Sequence, residues 1–215
     1  MIPTWSQVKS PALPRGSFPA LAGVLAGLTL AALSGILPLA SAQAATAATC
    51  PGAALSEPFA AWGDTNSYSL VPGGNFEGSL TGWTLSAGAK TVAGGEPNAA
   101  SGNLGLDAVQ LPAGASVQSP PVCVSSSEHT FRFFVRSEGK EAKVNAQIIY
   151  GSVNGSDPGQ KTTATGTWAP STIFHTGPLV AKALETSATV EVALRITSLS
   201  GTARIDDLFQ DPRMR

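Results

Sequence analysis

The sequence predicts an all-β protein, an antiparallel β-sandwich preceded by an N-terminal export signal. Three observations carry that prediction. Glycine (23) and proline (16) are abundant while only 13% of residues are charged, a composition of short strands joined by tight turns. Three stretches alternate cleanly between apolar and polar residues, which is the periodicity of half-buried strands. Turn-forming clusters punctuate the remainder about every eight to twelve residues, as in sandwiches.

The leader comes first. Residues 1–18 hold Lys9 and Arg15 and no acid, and a run from Pro19 to Ala42 is dominated by Leu, Ala, Gly and Val. Ala40-Ser41-Ala42 fits the small-x-small cleavage rule, placing cleavage before Gln43, with Ala42-Gln43-Ala44 as a second position. Residues 1–42 therefore read as a secretory signal peptide, and the protein as secreted or associated with the cell envelope. The apolar run approaches the length of a membrane span. Gly23, Gly27, Gly35 and Pro38 weaken it as a permanent helix, so no stable membrane insertion is expected after cleavage. Acylation of Cys50 would need a lipobox, and Ala47-Ala48-Thr49 lacks its large aliphatic residue.

The chain has 13 basic and 14 acidic residues, a net charge of −1. Losing Lys9 and Arg15 with the leader leaves 11 basic residues against 14 acidic. Nucleic acid, which calls for a basic footprint, is excluded as a partner. Cys50 and Cys123 are the two cysteines. In an exported chain an even count points to a disulfide, tying an N-terminal arm (residues 43–67) to the domain that follows (68–215). Closing so long a loop contributes roughly 4 kcal/mol on the chain-entropy account.

The arm carries Pro51, Pro58 and the turn Gly63-Asp64-Thr65-Asn66, with Phe59 and Trp62 as apolar hooks. The domain opens at residues 70–83, LVPGGNFEGSLTGW, where Pro72-Gly73-Gly74 and Gly82 forbid a helix around Phe76-Glu77 and Trp83. Thr84-Leu85-Ser86 and Lys90-Thr91-Val92 read as short strands, and residues 94–102 as a polar loop. Leu104, Leu106, Val109 and Leu111 lead into a turn at Pro112-Ala113-Gly114, and Val117, Val122 and Val124 continue the pattern. In 129–136, Phe131, Phe133 and Val135 face one way and Thr130, Arg132, Phe134 and Arg136 the other. In 143–150, Val144, Ala146, Ile148 and Tyr150 oppose Lys143, Asn145, Gln147 and Ile149. In 189–197, Val190, Val192, Leu194 and Ile196 oppose Glu191, Ala193, Arg195 and Thr197. Residues 151–166 read as a hairpin loop or exposed edge, including the glycosylation sequon at Asn154; Trp168 opens a strand carrying Phe174.

Residues 70–83, with Asn75-Phe76-Glu77 and Gly82-Trp83, resemble the opening "N-G-x-F-E … G-W" of carbohydrate-binding modules of families 4, 9 and 22. Ala203-Arg204-Ile205-Asp206-Asp207-Leu208 is similar to their closing "I-D-D-V" strand, and 131–136, 147–150 and Trp168 resemble their middle strands. The resemblance implies a galactose-binding-like jelly roll whose first and last strands are neighbours. It also implies a structural calcium ion where those strands meet, held by Glu77, by Asp206 or Asp207, and by main-chain carbonyls such as that of Asn75. Hard oxygen donors of this kind suit calcium rather than zinc. Alternation leaves open which of Asp206 and Asp207 faces the ion.

The polar sides of the three long strands together form a candidate ligand face of Arg132, Phe134, Arg136, Asn145, Gln147, Glu191 and Arg195. Planar amides, guanidinium forks and an aromatic platform suit sugar hydroxyls, and the arginines suit an acidic sugar. Catalytic signatures are weaker. Gly78-Ser79-Leu80-Thr81-Gly82 is not a nucleophile elbow, and neither His129 nor His175 is tied by pattern to a serine and an acid. The expectation is a secreted, non-catalytic module binding a polysaccharide or cell-envelope glycan. A structural or adhesive envelope protein is the second reading and a glycan-active hydrolase the third.

Overall fold

After Cys50 the arm turns through a short 3-10 segment, Ala60–Trp62, closed by Gly63 at φ 81°. The computed structural model describes residue 50 and residues 52–125, 129–150 and 155–211. The stretch expected to be a signal peptide, with both cleavage positions, residues 43–49 of the arm and the sequon Asn154 lie outside the described residues.

Short strands follow the turn-rich first half: β1 (Ser69–Leu70), β2 (Thr84–Ser86), β3 (Lys90–Ala93), β4 (Asp107–Leu111), β5 (Ser116–Gln118) and β6 (Val122–Val124). Then come the long strands β7 (Thr130–Ser137) and β8 (Ala142–Tyr150). The polar stretch beyond them supplies β9 (Gly155–Ser156) and the edge strand β10 (Gln160–Ala164), and then β11 (Ala169–Pro170) and β12 (Phe174–His175). Helix α1 (Pro178–Leu184) precedes the long pair β13 (Val190–Ser200) and β14 (Ala203–Asp211). The helix escaped the sequence reading because its seven residues span too few turns for a 3.6-residue period to stand out. Its proline at the first position and buried Val180 are the visible signals.

All strand pairs are antiparallel and fall into two sheets. The first runs β11-β7-β14-β4-β3, with β1 also on β14 and β12 also on β7; the second runs β10-β8-β13-β5-β2, with β6 also on β13 and β9 also on β8. Between them lie Phe131, Phe133 and Val135 of β7, Val144, Ala146 and Ile148 of β8, and Val190, Val192, Leu194 and Ile196 of β13, all buried. Each large side chain so buried stabilises the fold by about 1.5–3 kcal/mol. The predicted sandwich and its core faces are therefore present. Leu104 and Leu106 depart from expectation, at 66% and 72% exposed. Leu106 O accepts the Gly94 and Gly95 N–H groups, so this segment serves as a loop anchor before β4 and its side chains face outward.

First and last strands are neighbours: Ser69 pairs with Gln210 and Leu70 with Phe209. Just beyond, Val71 N–H donates to Leu208 O and Leu208 N–H to Gly74 O. A Cβ on Gly74 would stand 2.7 Å from Leu208 O and 2.8 Å from Val71 O, so glycine is required by this close approach. Cys50 and Cys123 form a disulfide across 73 residues, with Cα atoms 5.4 Å apart.

The arm folds over the outer face of the first sheet. Phe59, Tyr68, Phe134 and Phe209 form a second buried cluster there. Phe59 stacks on Phe134 with centroids 5.2 Å apart and meets Tyr68 edge-on at 5.0 Å. Arg132 pairs with Asp64 at 2.5 Å, lies 4.7 Å over the Phe59 ring and donates to Ser171 O. Tyr68 Oη also donates to Asp64. Burial pushes the Asp64 carboxyl up, but the hydrogen bonds from Tyr68, the Asn66 N–H and Arg132 outweigh it and hold it below the usual carboxylate value.

Candidate functional site

Strand register, rather than alternation alone, decides which predicted ligand residues meet. Arg132, Phe134 and Arg136 belong to β7 in the first sheet, whereas Asn145, Gln147, Glu191 and Arg195 belong to β8 and β13 in the second. The seven residues expected on one face are thus divided between opposite outer faces of the sandwich. Alternation reports which side of its own sheet a residue occupies and carries no information on which sheet that is.

The β7 trio is closed off. Phe134 is fully buried under Phe59 and Trp62, so it is no stacking platform. Arg132 is bound to Asp64. The Arg136 guanidinium sits 5.7 Å from the Trp168 ring.

The second sheet keeps its polar face. Thr84 pairs with Gln118, Gln118 with Arg195, and Arg195 with Gln147, so four polar side chains form one row across β2, β5, β13 and β8. Beside it runs a second row, Ser86, Ser116, Thr197, Asn145 and Lys161, in which Asn145 is buried beneath Gly159. Neighbours in each row stand on strands about 4.8 Å apart. Arg195 donates through Nε and Nη2 to Gln118 Oε1 at 3.0 and 2.7 Å, Ser86 and Ser116 share a 2.7 Å hydrogen bond, and Gln147 Nε2 donates to Asp157 O. Glu191 lies further along β13, beside Cys123, outside both rows. Gln118, Ser116, Thr84 and Ser86 were missed from sequence because three-residue strands show no period. Buried Val117 between Ser116 and Gln118 is the signal that places those two outward.

The carboxylate junction lies where β14 changes partners. β14 pairs with β4 from Ala203 to Ile205 and with β1 from Phe209. Between them its register against β7 shifts, and Asp207 takes φ 46°, a left-handed conformation uncommon outside glycine. This kink sends the adjacent acids different ways. Asp206 Oδ2 accepts the Glu96 N–H at 2.7 Å and turns toward Gly95 and Gly105. Asp207 turns toward Glu96 and Ser101.

Glu77 Oε1 accepts the N–H groups of Leu106 and Asp107 at 2.6 and 2.8 Å. A Cβ on Gly105 would lie 3.3 Å from Asp206 Oδ2 and 3.4 Å from Glu77 Oε1, so residues over a hundred positions apart flank one glycine. A Cβ on Gly95 would lie 2.8 Å from each of Asp206 Oδ2, Asp107 O and Gly105 O. Three oxygens converge on one point, a cradle that any side chain at residue 95 would fill. Among the described residues no three His, Cys, Asp or Glu side chains group as metal ligands, so main-chain oxygens must complete any cation site here. The Asn75 side chain belongs to its own turn, its Oδ1 facing the Glu77 N–H at 3.5 Å. Arg204, the basic residue nearest in sequence, is paired with Glu138 at 2.6 Å. Burial, with the Asp207 and Glu96 charges adding to it against the Glu96 and Asp207 N–H groups, pushes the Asp206 carboxyl up to about 8. Burial and the Glu96 charge likewise raise Asp207. An oxygen cluster that costs this much to ionise fits a hard cation.

No family model and no curated protein sequence matches the chain. Among solved structures it is similar to the module TmCBM61 in complex with β-1,4-galactotriose, at 16% identity and TM-score 0.42, covering 67% of this chain and 98% of that one. It is also similar to the CBM22-1–GH10 modules of Clostridium thermocellum xylanase 10B complexed with xylohexaose, at 16% identity and TM-score 0.45, covering 66% and 28%. A family 4 carbohydrate-binding module matches at 11% identity and TM-score 0.43, covering 66% and 98%.

Proposed function

We propose that this protein is a secreted, non-catalytic β-sandwich module that binds carbohydrate, a polysaccharide or cell-envelope glycan, on the outer face of its second sheet. The observation carrying this reading is the pair of polar rows, Thr84-Gln118-Arg195-Gln147 and Ser86-Ser116-Thr197-Asn145-Lys161. Amides and a guanidinium fork present paired donors and acceptors that match adjacent hydroxyls or a carboxylate on a sugar ring. The non-catalytic reading is supported by Glu77, whose Oε1 is engaged by two main-chain N–H groups. His129 supports it too, because its ring is buried against Gln210 rather than beside a nucleophile.

An array of immobilised neutral and acidic polysaccharides tests this reading. Retention on at least one is expected, weakened about tenfold by Gln147→Ala or Arg195→Ala. Absence of retention across the array removes the proposal.

Calcium belongs to the same proposal. Glu77, Asp206 and the carbonyls of Gly105 and Asp107 would hold it, and its charge would neutralise buried carboxylates and so stabilise the junction of β1, β4 and β14. Calcium should raise the melting temperature of the wild type and not that of Gly95→Ala. A chelator that leaves the wild-type melt unchanged contradicts this.

A further inference from the structure

The arm does more than cover the first sheet. With the loop at residues 98–102 it walls a cleft of about 640 Å³, lined by Glu57, Pro58, Trp62, Asn98, Ser101 and Gly102 among others. Trp62 is 40% exposed. The part of it that is covered meets Phe134 edge-on, with centroids 5.2 Å apart, so the indole is an aromatic surface fixed on a buried aromatic cluster.

Both walls are held in place without a ligand. On the arm side, Phe59 is fully buried, Asp64 is paired with Arg132, and Ser56 and Tyr68 exchange main-chain hydrogen bonds. On the loop side, the chain is wound around Glu96, itself 1% exposed, whose carboxylate accepts the Asn98 and Ala100 N–H groups at 2.7 Å each. Gly102 N–H closes the turn on Ala99 O. Pre-formed, largely apolar clefts with a few polar groups at the rim are the usual form of a small-ligand site.

We propose that this cleft is a saccharide site separate from the open face of the second sheet, taking a neutral pyranose unit. The apolar C–H face of the ring stacks on Trp62, and the polar side chains of Glu57 and Asn98 at the rim meet its hydroxyls. Neutrality follows from charge. Among the described lining residues Glu57 is the one charged side chain, and the acidic Glu96 lies behind the loop. Uronates and sulfated sugars are therefore repelled here, in contrast to the face carrying Arg195 and Lys161. The inference rests on the reading of the sandwich as a carbohydrate binder and adds to it a second site with its own ligand class.

Calorimetric titration of the purified chain with β-1,4-galactotriose, xylohexaose, cellohexaose and trigalacturonate tests it, on wild type, Trp62→Ala, Trp62→Tyr and Arg195→Ala. Trp62→Ala should weaken binding of at least one neutral oligosaccharide roughly ten- to thirty-fold, while Trp62→Tyr, which keeps an aromatic face, stays within about threefold. In the wild type, the same titration followed by NMR should shift the Trp62 indole N–H, a readout that does not depend on how well a variant folds. An unmoved indole signal, or unchanged affinity in Trp62→Ala, overturns the cleft. If Arg195→Ala alone loses binding, the cleft fails and the open face stands. If no oligosaccharide binds the wild type, both fail. Trigalacturonate binding that Trp62→Ala abolishes overturns the neutral class.

Discussion

The two outer faces of the sandwich began from the same sequence pattern and met opposite fates. On β7 the outward residues Arg132, Phe134 and Arg136 are covered by the arm or by Trp168. On β8 and β13 the outward Gln147, Thr197 and Arg195 remain at the surface of a five-strand array, while Asn145 is buried beneath Gly159. The difference lies in the aromatic content. Phe134 on the outward side of β7 gives Phe59 and Trp62 something apolar to cover, and the arm then neutralises Arg132 with Asp64. No aromatic residue stands outward on β13, and its exposed apolar side chain Leu199 lies near the strand's end, so an apolar segment gains little by covering it. A half-buried strand therefore has a binding face only where the rest of the chain leaves it one.

That contrast can be broken most forcefully at Phe59. Phe59→Ala removes the centre of the second aromatic cluster and should cost about 3–5 kcal/mol, read as a lowered urea midpoint. Arg195→Ala and Gln147→Ala, on the uncovered face, should change stability by no more than about 0.5 kcal/mol. Equal costs on the two faces would mean that the arm is not a structural cover.

The next effect concerns His129, buried at the start of β7 with its Nε2 on Gln210 Oε1 at 3.1 Å and its ring against Phe131. Burial outweighs the Gln210 hydrogen bond and pushes its pKa down from 6.5 to about 4. Above pH 6.5 the ring is neutral folded or unfolded, and its contribution is fully present. Between 6.5 and about 4 the unfolded chain binds a proton that the folded chain does not, so stability falls with pH by up to about 1.4 kcal/mol per unit. The stability difference between wild type and His129→Gln should shrink across that window. A difference that stays flat from pH 7 to 4 would place the ring in contact with solvent.

Much of this was legible in the sequence because the long strands carry one residue type per face. Phe131, Phe133 and Val135, then Val144, Ala146 and Ile148, then Val190, Val192, Leu194 and Ile196 all enter the core as the alternation required. The cysteine pair was legible for a different reason, since each of the two thiols of the chain has a single possible partner. Sheet membership was not legible, because it depends on long-range pairing, and so Phe134 was placed among residues that lie on the other side of the molecule. The oxygen cradle was half legible. Glu77 and Asp206 are side chains and visible, but the oxygens from Gly105 and Asp107 belong to the main chain, and Gly95 matters only for the Cβ it lacks.

The most direct measurement is an NMR titration of the isotopically labelled chain with the best-retained oligosaccharide from the array, following the side-chain amides of Gln118, Asn145 and Gln147 and the Arg195 Nε–H. The account predicts that these signals, which the register places in two adjoining rows, shift together and saturate at one ligand concentration. A titration that saturates binding while all four stay unmoved would contradict it.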